Sequence, residues 1–336
     1  MKYQYKLWGL LLFMAVCVAI VIGYIYTQYS FSMPGKITDT FYSDSVLKRG
    51  GVRVAFFGDQ GLTSQSKDVL RLVKNEGAEL LVHLGDIDYA DNPDAWVEQY
   101  AAILGSSTDY LTVLGNHELK KWDEYKKKIE EQITSAKYLK CTGENGVEST
   151  CTYKDITFVL TTPNLTEKDH VGYIKSQLAI STSTWNVCAW HENMRAMQLG
   201  DKKDEVGWGV YEECRKAGAI VATAHEHSYS RTKLLSSFKN KTVATSSNVL
   251  QLEKGKSFAF VSGLGGQSVR PQKLNGPWWA TVYTSTQKAL PGALFCTFGT
   301  NGDKNRAECY FKDIKGRIAD QFVVNAVGAK SATSTN

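Results

Sequence analysis

The sequence lacks a basic stripe with interleaved aromatic residues, the usual mark of a nucleic-acid-binding surface. Lysines and arginines are instead scattered among acids, as in DEYKKKIEEQ over residues 123–132, and the formal net charge is only +5 over 336 residues. We therefore expect no nucleic-acid partner. Internal repeats are also absent, and GKS at 255–257 lacks the upstream glycine of a phosphate-binding P-loop, so we interpret it as a turn. With 43% apolar and 22% charged residues, the composition is that of a globular protein.

Charged residues are missing altogether between Lys6 and Lys36. Within that stretch, residues 7–26 form an apolar run that would span about 30 Å as a helix, the thickness of a bilayer's hydrocarbon core. Because positive charge precedes the run, we predict a cytoplasmic segment at 1–6, a transmembrane signal anchor at 7–26 and a lumenal or extracellular remainder. The alternative is a signal peptide cleaved near residues 30–32, which would make the protein secreted.

The cysteines and two glycosylation sequons fit an exported protein. Cys17 lies in the apolar run, and the six cysteines beyond it are an even number, as an oxidising compartment permits. Residues 294–311 predict a hairpin with a two-residue turn at 302–303, which places Cys296 opposite Cys309. Six cysteines allow 15 pairings; the other candidates are Cys141 with Cys151, which bracket a turn, and the remaining Cys188 and Cys214. The sequons begin at Asn164 and Asn240.

Short strand patterns alternate with helix patterns in the first part of the chain, which predicts an α/β fold. Strands are predicted at 52–57, 79–84 and 110–114, and helices at 64–77 and 92–105. After residue 256 the apolar runs lie too close together for helices, so we predict antiparallel strands there. The fold class is therefore α/β, with two packed mixed β-sheets flanked by helices. The predicted organisation is a linker at 27–47, one catalytic domain at 48–324 and a disordered tail at 325–336.

Polar residues with ligand chemistry follow five of the predicted strands. These residues are Asp59, Asp86 with Tyr89, Asn116 with His117, His191, and His225 with His227. In an α/β sheet the carboxyl ends of parallel strands share one edge, so residues far apart in sequence are expected to converge there. Carboxylate, amide and imidazole groups suit hard and borderline cations, and there are too many for one tetrahedral ion. Two ions sharing a carboxylate would use them, and such a pair promotes phosphoryl displacement.

The blocks GDQG, GDIDY, GNHE, CAWH and AHEH occur in an order and spacing that resemble the calcineurin-like metallophosphoesterases. More narrowly, they resemble the purple acid phosphatases, because Gly61 replaces the histidine of many broader relatives and a tyrosine stands at 89. The resemblance covers residues 52 to 231 by motif. It implies a four-layer sandwich and two metal ions, Fe(III) with a divalent Fe, Zn or Mn.

The resemblance also implies a role for each matching residue. The first metal would be held by Asp59, Asp86, Tyr89 and His227, and the second by Asp86, Asn116, His191 and His225. Asp86 would bridge the two ions, and a metal-bound hydroxide would be the nucleophile. His117 would face the substrate, binding a phosphate oxygen or protonating the leaving group.

Three departures from the family pattern concern the site. Cys188 replaces the usual valine of the fourth block, and Ala224 replaces the glycine of the fifth. Residues 192–208 contain no second histidine of the kind that many family members use to hold substrate. Outside the blocks, we interpret His83 as a core histidine with a partner and His170 as an exposed loop residue.

These patterns predict a binuclear metal-dependent phosphatase that hydrolyses phosphate monoesters on small molecules or phosphoproteins, outside the cytoplasm. A phosphodiesterase or nucleotide hydrolase on the same two metals is an alternative. Another is a membrane-tethered binding ectodomain with little activity, although a complete ligand set argues against it. The sequence predicts neither the physiological substrate nor the oligomeric state.

Overall fold

The computed structural model describes residues 50–327. The predicted cytoplasmic segment 1–6, membrane segment 7–26 and linker 27–47 lie outside the described residues, as do residues 328–336 of the predicted tail. Within residues 50–327, no helix combines the length and apolar character needed to cross a bilayer.

Seventeen strands and five α-helices make up the described part of the chain. The strands are β1 Val52–Phe57, β2 Leu80–His83, β3 Asp109–Thr112, β4 Leu139–Glu144, β5 Glu148–Tyr153, β6 Ile156–Leu160, β7 Trp185–Ala189, β8 Ile220–Thr223, β9 Tyr229–Thr232, β10 Leu234–Ser237, β11 Thr242–Thr245, β12 Val249–Leu252, β13 Ala259–Ser262, β14 Trp279–Tyr283, β15 Gly292–Phe298, β16 Arg306–Asp313 and β17 Ile318–Ala326. The helices are α1 Ser64–Asn75, α2 Pro93–Leu104, α3 Trp122–Ser135, α4 His170–Ile180 and α5 Trp208–Ala217. Strand β17 runs two residues past the predicted end of the domain at 324.

Two mixed sheets pack face to face between layers of helices, as predicted. One sheet has the order β12-β17-β16-β15-β1-β2-β3 and the other β14-β9-β13-β8-β7-β6-β5-β4. Alternation along β1 explains the layering: Phe56 contacts Phe158 and Phe260 of the other sheet, whereas Phe57 belongs to the core beneath the helices α1, α2 and α3. Both faces of β1 are therefore buried.

The helices begin and end at residues that favour those positions. Asn92 caps α2 by accepting from the Ala95 amide, Pro93 is the first residue and Gly105 follows the last turn. Helix α1 is capped by Thr63, whose hydroxyl accepts from the Ser66 amide, and the Ser66 hydroxyl accepts in turn from the Thr63 amide. The two helices flank the loops that leave β1 and β2.

The prediction of antiparallel strands after residue 256 is correct for β14, β15 and β16 but only in part for β17, which also pairs in parallel with β12, and for β13. Strand β13 lies between β8, with which it pairs in parallel, and β9, with which it is antiparallel. Strand length and spacing do not reveal such an insertion, because the partner β8 lies more than 30 residues earlier in the sequence.

Three disulfides cross-link the described part of the chain. Cys296 faces Cys309 in the predicted register and is bonded to it. The hairpin turn differs from the prediction: the strands end at Phe298 and resume at Arg306, around a 3₁₀ turn. Positive-φ backbones at Gly299, Asn301 and Gly302 make this wider turn possible. The other two bonds join Cys141 to Cys151 and Cys188 to Cys214.

A buried ion pair ties the two sheets together. Arg231 of β9 donates two hydrogen bonds to Asp320 of β17, at 2.6 and 2.9 Å, and both side chains are almost fully buried. Tyr229 and Thr281 donate to the same carboxylate at 2.7 and 2.8 Å. Arg231 and Tyr229 are therefore core residues that join the sheets.

We predict that Asp320→Ala lowers the free energy of unfolding by about 3–5 kcal/mol, because it leaves the Arg231 guanidinium buried without its counter-ion. Chemical denaturation of purified protein measures this. The control is Asp68→Ala, which removes an exposed pair with Arg71 and should cost far less. Equal costs for the two variants would contradict the prediction.

Candidate metal centre

The loops that follow β1, β2, β3, β7 and β8 bring the predicted site residues to one edge of the two sheets. Four of these residues have left-handed backbones: Asp59, Asp86, Tyr89 and His225, with φ between 55° and 67°. Such conformations cost of order 1 kcal/mol or more for residues other than glycine, and they cluster at functional sites. The sharp turns let each side chain point back across the strand ends.

Glycines in the blocks allow these loops to pack against each other. A Cβ atom on Gly115 would lie 2.2 Å from the Asp86 amide nitrogen, and one on Gly85 would lie 2.7 Å from His191 Nδ1. The pairing of β1 with β2 also continues into their loops, since the amide of Asp59 donates to the carbonyl of Gly85 at 3.1 Å. Close approach of the loops thus requires the glycines that precede Asp59, Asp86 and Asn116.

Three side-chain atoms surround the phenol oxygen of Tyr89. This oxygen lies 2.9 Å from Asp59 Oδ1, 3.1 Å from Asp86 Oδ2 and 3.2 Å from His227 Nε2. The His227 and Asp59 atoms are themselves 3.5 Å apart. This is the set that the resemblance assigns to the first metal.

A second set adjoins the first and shares one oxygen with it. Asp86 Oδ2 lies 3.2 Å from His191 Nε2, which in turn lies 3.0 Å from His225 Nδ1. Asp86, His191 and His225 together form a group whose geometry could hold a metal ion. Asp86 Oδ2 therefore stands between the two sets.

The remaining two predicted site residues differ in exposure: the side-chain oxygen of Asn116 is buried, whereas His117 is exposed. The side-chain oxygen of Asn116 is buried and has no hydrogen-bond partner among the described residues. A buried acceptor without a donor is costly, and a cation would satisfy it. His117 is the exposed member: its ring packs against Tyr89 at 4.2 Å between centroids, and its amide donates to Asp86 Oδ1 at 3.0 Å. The buried, oxygen-rich and imidazole-rich donor set thus fits two cations.

Hydrogen bonds to the outer nitrogens fix the orientation of each imidazole. His191 Nδ1 lies 2.7 Å from the Leu84 carbonyl, and His227 Nδ1 lies 3.0 Å from the Ser268 carbonyl. Each carbonyl accepts from its ring, which leaves the Nε2 lone pair facing the site. His225 is turned the other way, with Nε2 3.2 Å from Glu205 and Nδ1 inward.

Glu118 holds two of the loops together. Its buried carboxylate accepts from the amides of Asp86 at 3.0 Å, Ile87 at 2.7 Å and Gly115 at 2.8 Å. Asp88 plays a similar part, accepting from Tyr125 and from two loop amides. Both acids support the site without being ligand candidates themselves.

The charges of the site act on one another through a dry interior. Burial raises the pKa of Asp59 and Asp86, but the neighbouring His227 and His191 outweigh it and hold both pKa values below the ordinary range. Burial lowers the pKa of His191, yet the two carboxylates raise it to about 9. Burial and the same carboxylates raise the pKa of Tyr89 far above its ordinary value. In the absence of a cation, Tyr89 is therefore a phenol.

Three residues near the site were not singled out from the sequence: Lys202, Glu205 and Arg270. Lys202 donates to the His225 carbonyl, Glu205 contacts the His225 ring, and Arg270 lies beside His227. The run GDKKDE at 200–205 could have indicated Lys202 and Glu205, because it follows the strand that ends at His191 and charged residues in such a loop lie near the ligands. Arg270, in the loop after β13, carries no such signal.

Two histidines outside the blocks differ from expectation. His170 is buried at the start of α4, where Nε2 lies 3.0 Å from Thr166 and Nδ1 lies 3.0 Å from Glu148, so the prediction of an exposed residue was wrong. His83 is in the core, as predicted, but neither ring nitrogen has a hydrogen-bond partner among the described residues. Its partners are the rings of Phe57 and Tyr110.

The fold is similar to those of several solved structures. The purple acid phosphatase PPD1 from yellow lupin (Lupinus luteus) seeds has a TM-score of 0.60 at 17% identity, over 82% of this chain and 54% of that chain. The chain thus spans about half of the lupin protein. Plasmodium GAP50 has a TM-score of 0.56 at 12% identity, over 82% and 89%. PhoD has a TM-score of 0.50 at 12% identity, over 80% and 71%.

The sequence model of the calcineurin-like phosphoesterase family matches residues 43–229, more than half of the chain. The chain belongs to this family, and its fold is like that of the purple acid phosphatases. No curated protein matches the sequence.

We predict that His83 makes the fold sensitive to acid. Burial lowers its pKa from 6.5 to about 3, so between these values the unfolded chain binds a proton that the folded chain does not. Above pH 6.5 His83 is neutral in both states and does not lower the free energy of unfolding. Below pH 6.5 it lowers the free energy of unfolding by about 1.4 kcal/mol per pH unit. The free energy of unfolding of His83→Phe minus that of the natural chain, measured by chemical denaturation, should therefore be about 2–3 kcal/mol larger at pH 4 than at pH 6.

The control for that measurement is Val82→Ala, whose effect on stability should not change with pH because valine does not titrate. If the free-energy difference between the natural chain and His83→Phe is constant from pH 7 to pH 4, then His83 is protonated in the folded state and the prediction fails.

Proposed function

We propose that the protein is a binuclear metal-dependent phosphatase that hydrolyses phosphate monoesters, with Asp86 shared by the two ions. The observation that carries this proposal is the position of Asp86 Oδ2, 3.1 Å from the Tyr89 oxygen of one set and 3.2 Å from His191 Nε2 of the other. A carboxylate oxygen between two ligand sets is what a bridged pair requires. The unpartnered oxygen of Asn116 adds a ligand to the second set.

When bound, the two cations would activate a water molecule and neutralise charge on the phosphoryl oxygens. The chain's own residues position the reaction. Asp59, Tyr89 and His227 would hold the first ion, and Asn116, His191 and His225 the second. The backbone amide of His117 and the carboxylate of Glu118 hold Asp86 and its loop in place.

His117 is the group we assign to substrate. Its Nε2 is 3.8 Å from Asp86 Oδ2, and nearly half of its side-chain surface is exposed, whereas the other site histidines are buried. An imidazole at the open side of the site can donate a proton to the departing alcohol or a hydrogen bond to a phosphoryl oxygen. Packing against Tyr89 limits its motion.

For the metals we propose Fe(III) in the first position and Fe, Zn or Mn in the second. Tyr89 supports the ferric ion, because a phenolate oxygen among two carboxylates favours a cation of high charge. The second set, with two imidazoles and an amide, suits a borderline divalent ion.

We further propose export, with residues 7–26 as an uncleaved anchor or a cleaved signal peptide. Three disulfides support an oxidising compartment. Both sequon asparagines are exposed, and Asn240, in the turn between β10 and β11, is the better acceptor for a glycan because the Asn164 amide is already hydrogen-bonded. The side chain of Asn164 donates to Glu192 at 2.7 Å.

A second candidate is a membrane-tethered binding protein with little activity. The similarity to GAP50, whose structure is described as the anchor in the inner membrane complex of Plasmodium, motivates it. The full set of candidate ligands and their packing favour the enzyme, because a binding surface needs no buried, unsatisfied amide oxygen. Phosphodiester or nucleotide hydrolysis on the same ions is an alternative reaction.

We predict two metal ions per chain by elemental analysis, a pink to purple colour from the phenolate bound to ferric iron, and phosphate release from p-nitrophenyl phosphate. Asn116→Ala should retain the colour and lose the second metal, because Asn116 belongs only to the second set. Full metal occupancy with no phosphate release over the whole pH range would contradict the phosphatase and favour the binding protein.

We predict that His117→Ala lowers kcat by about 10²–10⁴ while two metals remain bound, because it removes a proton donor and no ligand. Steady-state kinetics with elemental analysis of the same sample measures both. Asn116→Ala is the matched comparison, since it alters the adjacent residue and should lower metal content. A parallel loss of metal and activity in His117→Ala would show that His117 is structural.

A further inference from the structure

Two cationic side chains converge on one backbone oxygen beside the candidate metal centre. The ammonium of Lys202 donates to the His225 carbonyl at 2.7 Å, and Arg270 Nη1 lies 3.4 Å from the same oxygen. Arg270 Nη2 is 3.5 Å from His227 Nε2. The pair therefore lies on the side of the site formed by His225 and His227, whereas His117 packs against Tyr89 and Asp86.

The cations are held in place by the loops that carry them. The Leu199 carbonyl accepts from the amides of Lys273 and Leu274 at 2.8 and 3.0 Å, which joins the loop containing Lys202 to the loop containing Arg270. The amide of Arg270 also donates to the His227 carbonyl at 2.9 Å. Binding an anion here would need little reorganisation of the backbone.

The hydrogen-bonding capacity of the pair is largely unused. Lys202 is half-buried, and among residues 50–327 no carboxylate forms an ion pair with it. Its ammonium has three donors, of which the His225 carbonyl takes one. Arg270 forms a long ion pair with the buried Glu226, at 3.4 Å, and its side chain is 38% exposed. A partly desolvated cation without an ion pair, such as Lys202, is stabilised by an anionic ligand, and the exposed part of the Arg270 guanidinium can donate to the same anion.

We propose that Lys202 and Arg270 bind a second phosphate of the substrate, adjacent to the phosphoryl group that is cleaved, and so favour phosphoanhydrides over simple monoesters. The inference rests on the proposed phosphatase function and specifies its substrate class. In inorganic pyrophosphate, water would add to one phosphorus while the bond to the bridging oxygen breaks. The electron pair stays on that oxygen, the second phosphate leaves, and a proton is released.

The position of the pair explains the choice of ligand. A monoester has one phosphate, which the two metals and His117 would engage, and its organic group offers nothing to a pair of cations. A phosphoanhydride carries further negative charge on the next phosphate, within reach of donors beside His225 and His227. The loop that holds Lys202 lies in the segment without the histidine that many family members use for substrate.

The test compares kcat/KM for inorganic pyrophosphate and p-nitrophenyl phosphate in the metal-loaded full chain. We expect Lys202→Gln and Arg270→Gln each to lower the value for pyrophosphate about tenfold, mainly through KM, and the value for p-nitrophenyl phosphate less than about twofold. Metal content should not change. Arg270→Lys should recover part of the loss, since it keeps the charge.

The matched control is Lys203→Gln, which removes an equal charge from the exposed adjacent residue and should leave both substrates unaffected. An equal loss for both substrates, or no loss for pyrophosphate, overturns the inference.

If the natural chain cleaves neither compound, the proposed function fails and the anion site is tested by calorimetry. Tighter binding of pyrophosphate than of orthophosphate that disappears in Lys202→Gln and Arg270→Gln supports the site, and equal binding in all variants overturns it.

Discussion

The structure depends on one constraint: the carboxyl ends of strands from two different sheets must meet closely enough for Asp86 to touch both ligand sets. Each set draws ligands from both sides of the sandwich, since β1, β2 and β3 lie in one sheet and β7 and β8 in the other. A small change in how the sheets pack would separate Asp86 from His191. The aromatic contacts between the sheets and the buried Arg231–Asp320 pair therefore serve the site as well as the fold.

The site collects features that are unfavourable for folding. Four residues have left-handed backbones, two carboxylates are buried side by side, and the Asn116 oxygen has no donor among the described residues. Their cost is offset elsewhere, by continuous apolar cores on both faces of each sheet and by three disulfides. Such local conflict within a well-packed fold is expected at functional sites, where geometry is selected for chemistry rather than stability.

The sequence predicted the sheets, the first helices and the convergence of the five blocks, because strand ends and glycine turns are local signals. It failed where the determining contact is distant in sequence. The parallel partner of β13, the Glu148 that buries His170, and Arg270 beside His227 all come from non-local packing. The hairpin at Cys296 shows the intermediate case: its register was predictable from counting, whereas its turn depended on several left-handed residues together.

Tyr89 links metal binding to protonation. Burial and two carboxylates keep the proton on its oxygen, so a cation that binds there must displace that proton. The free energy of ion binding must exceed the cost of removing this proton, which requires an ion of high charge and high affinity for phenolate. In the second set the corresponding proton is on His191, whose pKa the two carboxylates raise to about 9 in spite of burial, and this proton is lost far more readily than that of the buried phenol. The asymmetry between the two positions thus follows from a single phenol placed between Asp59 and Asp86.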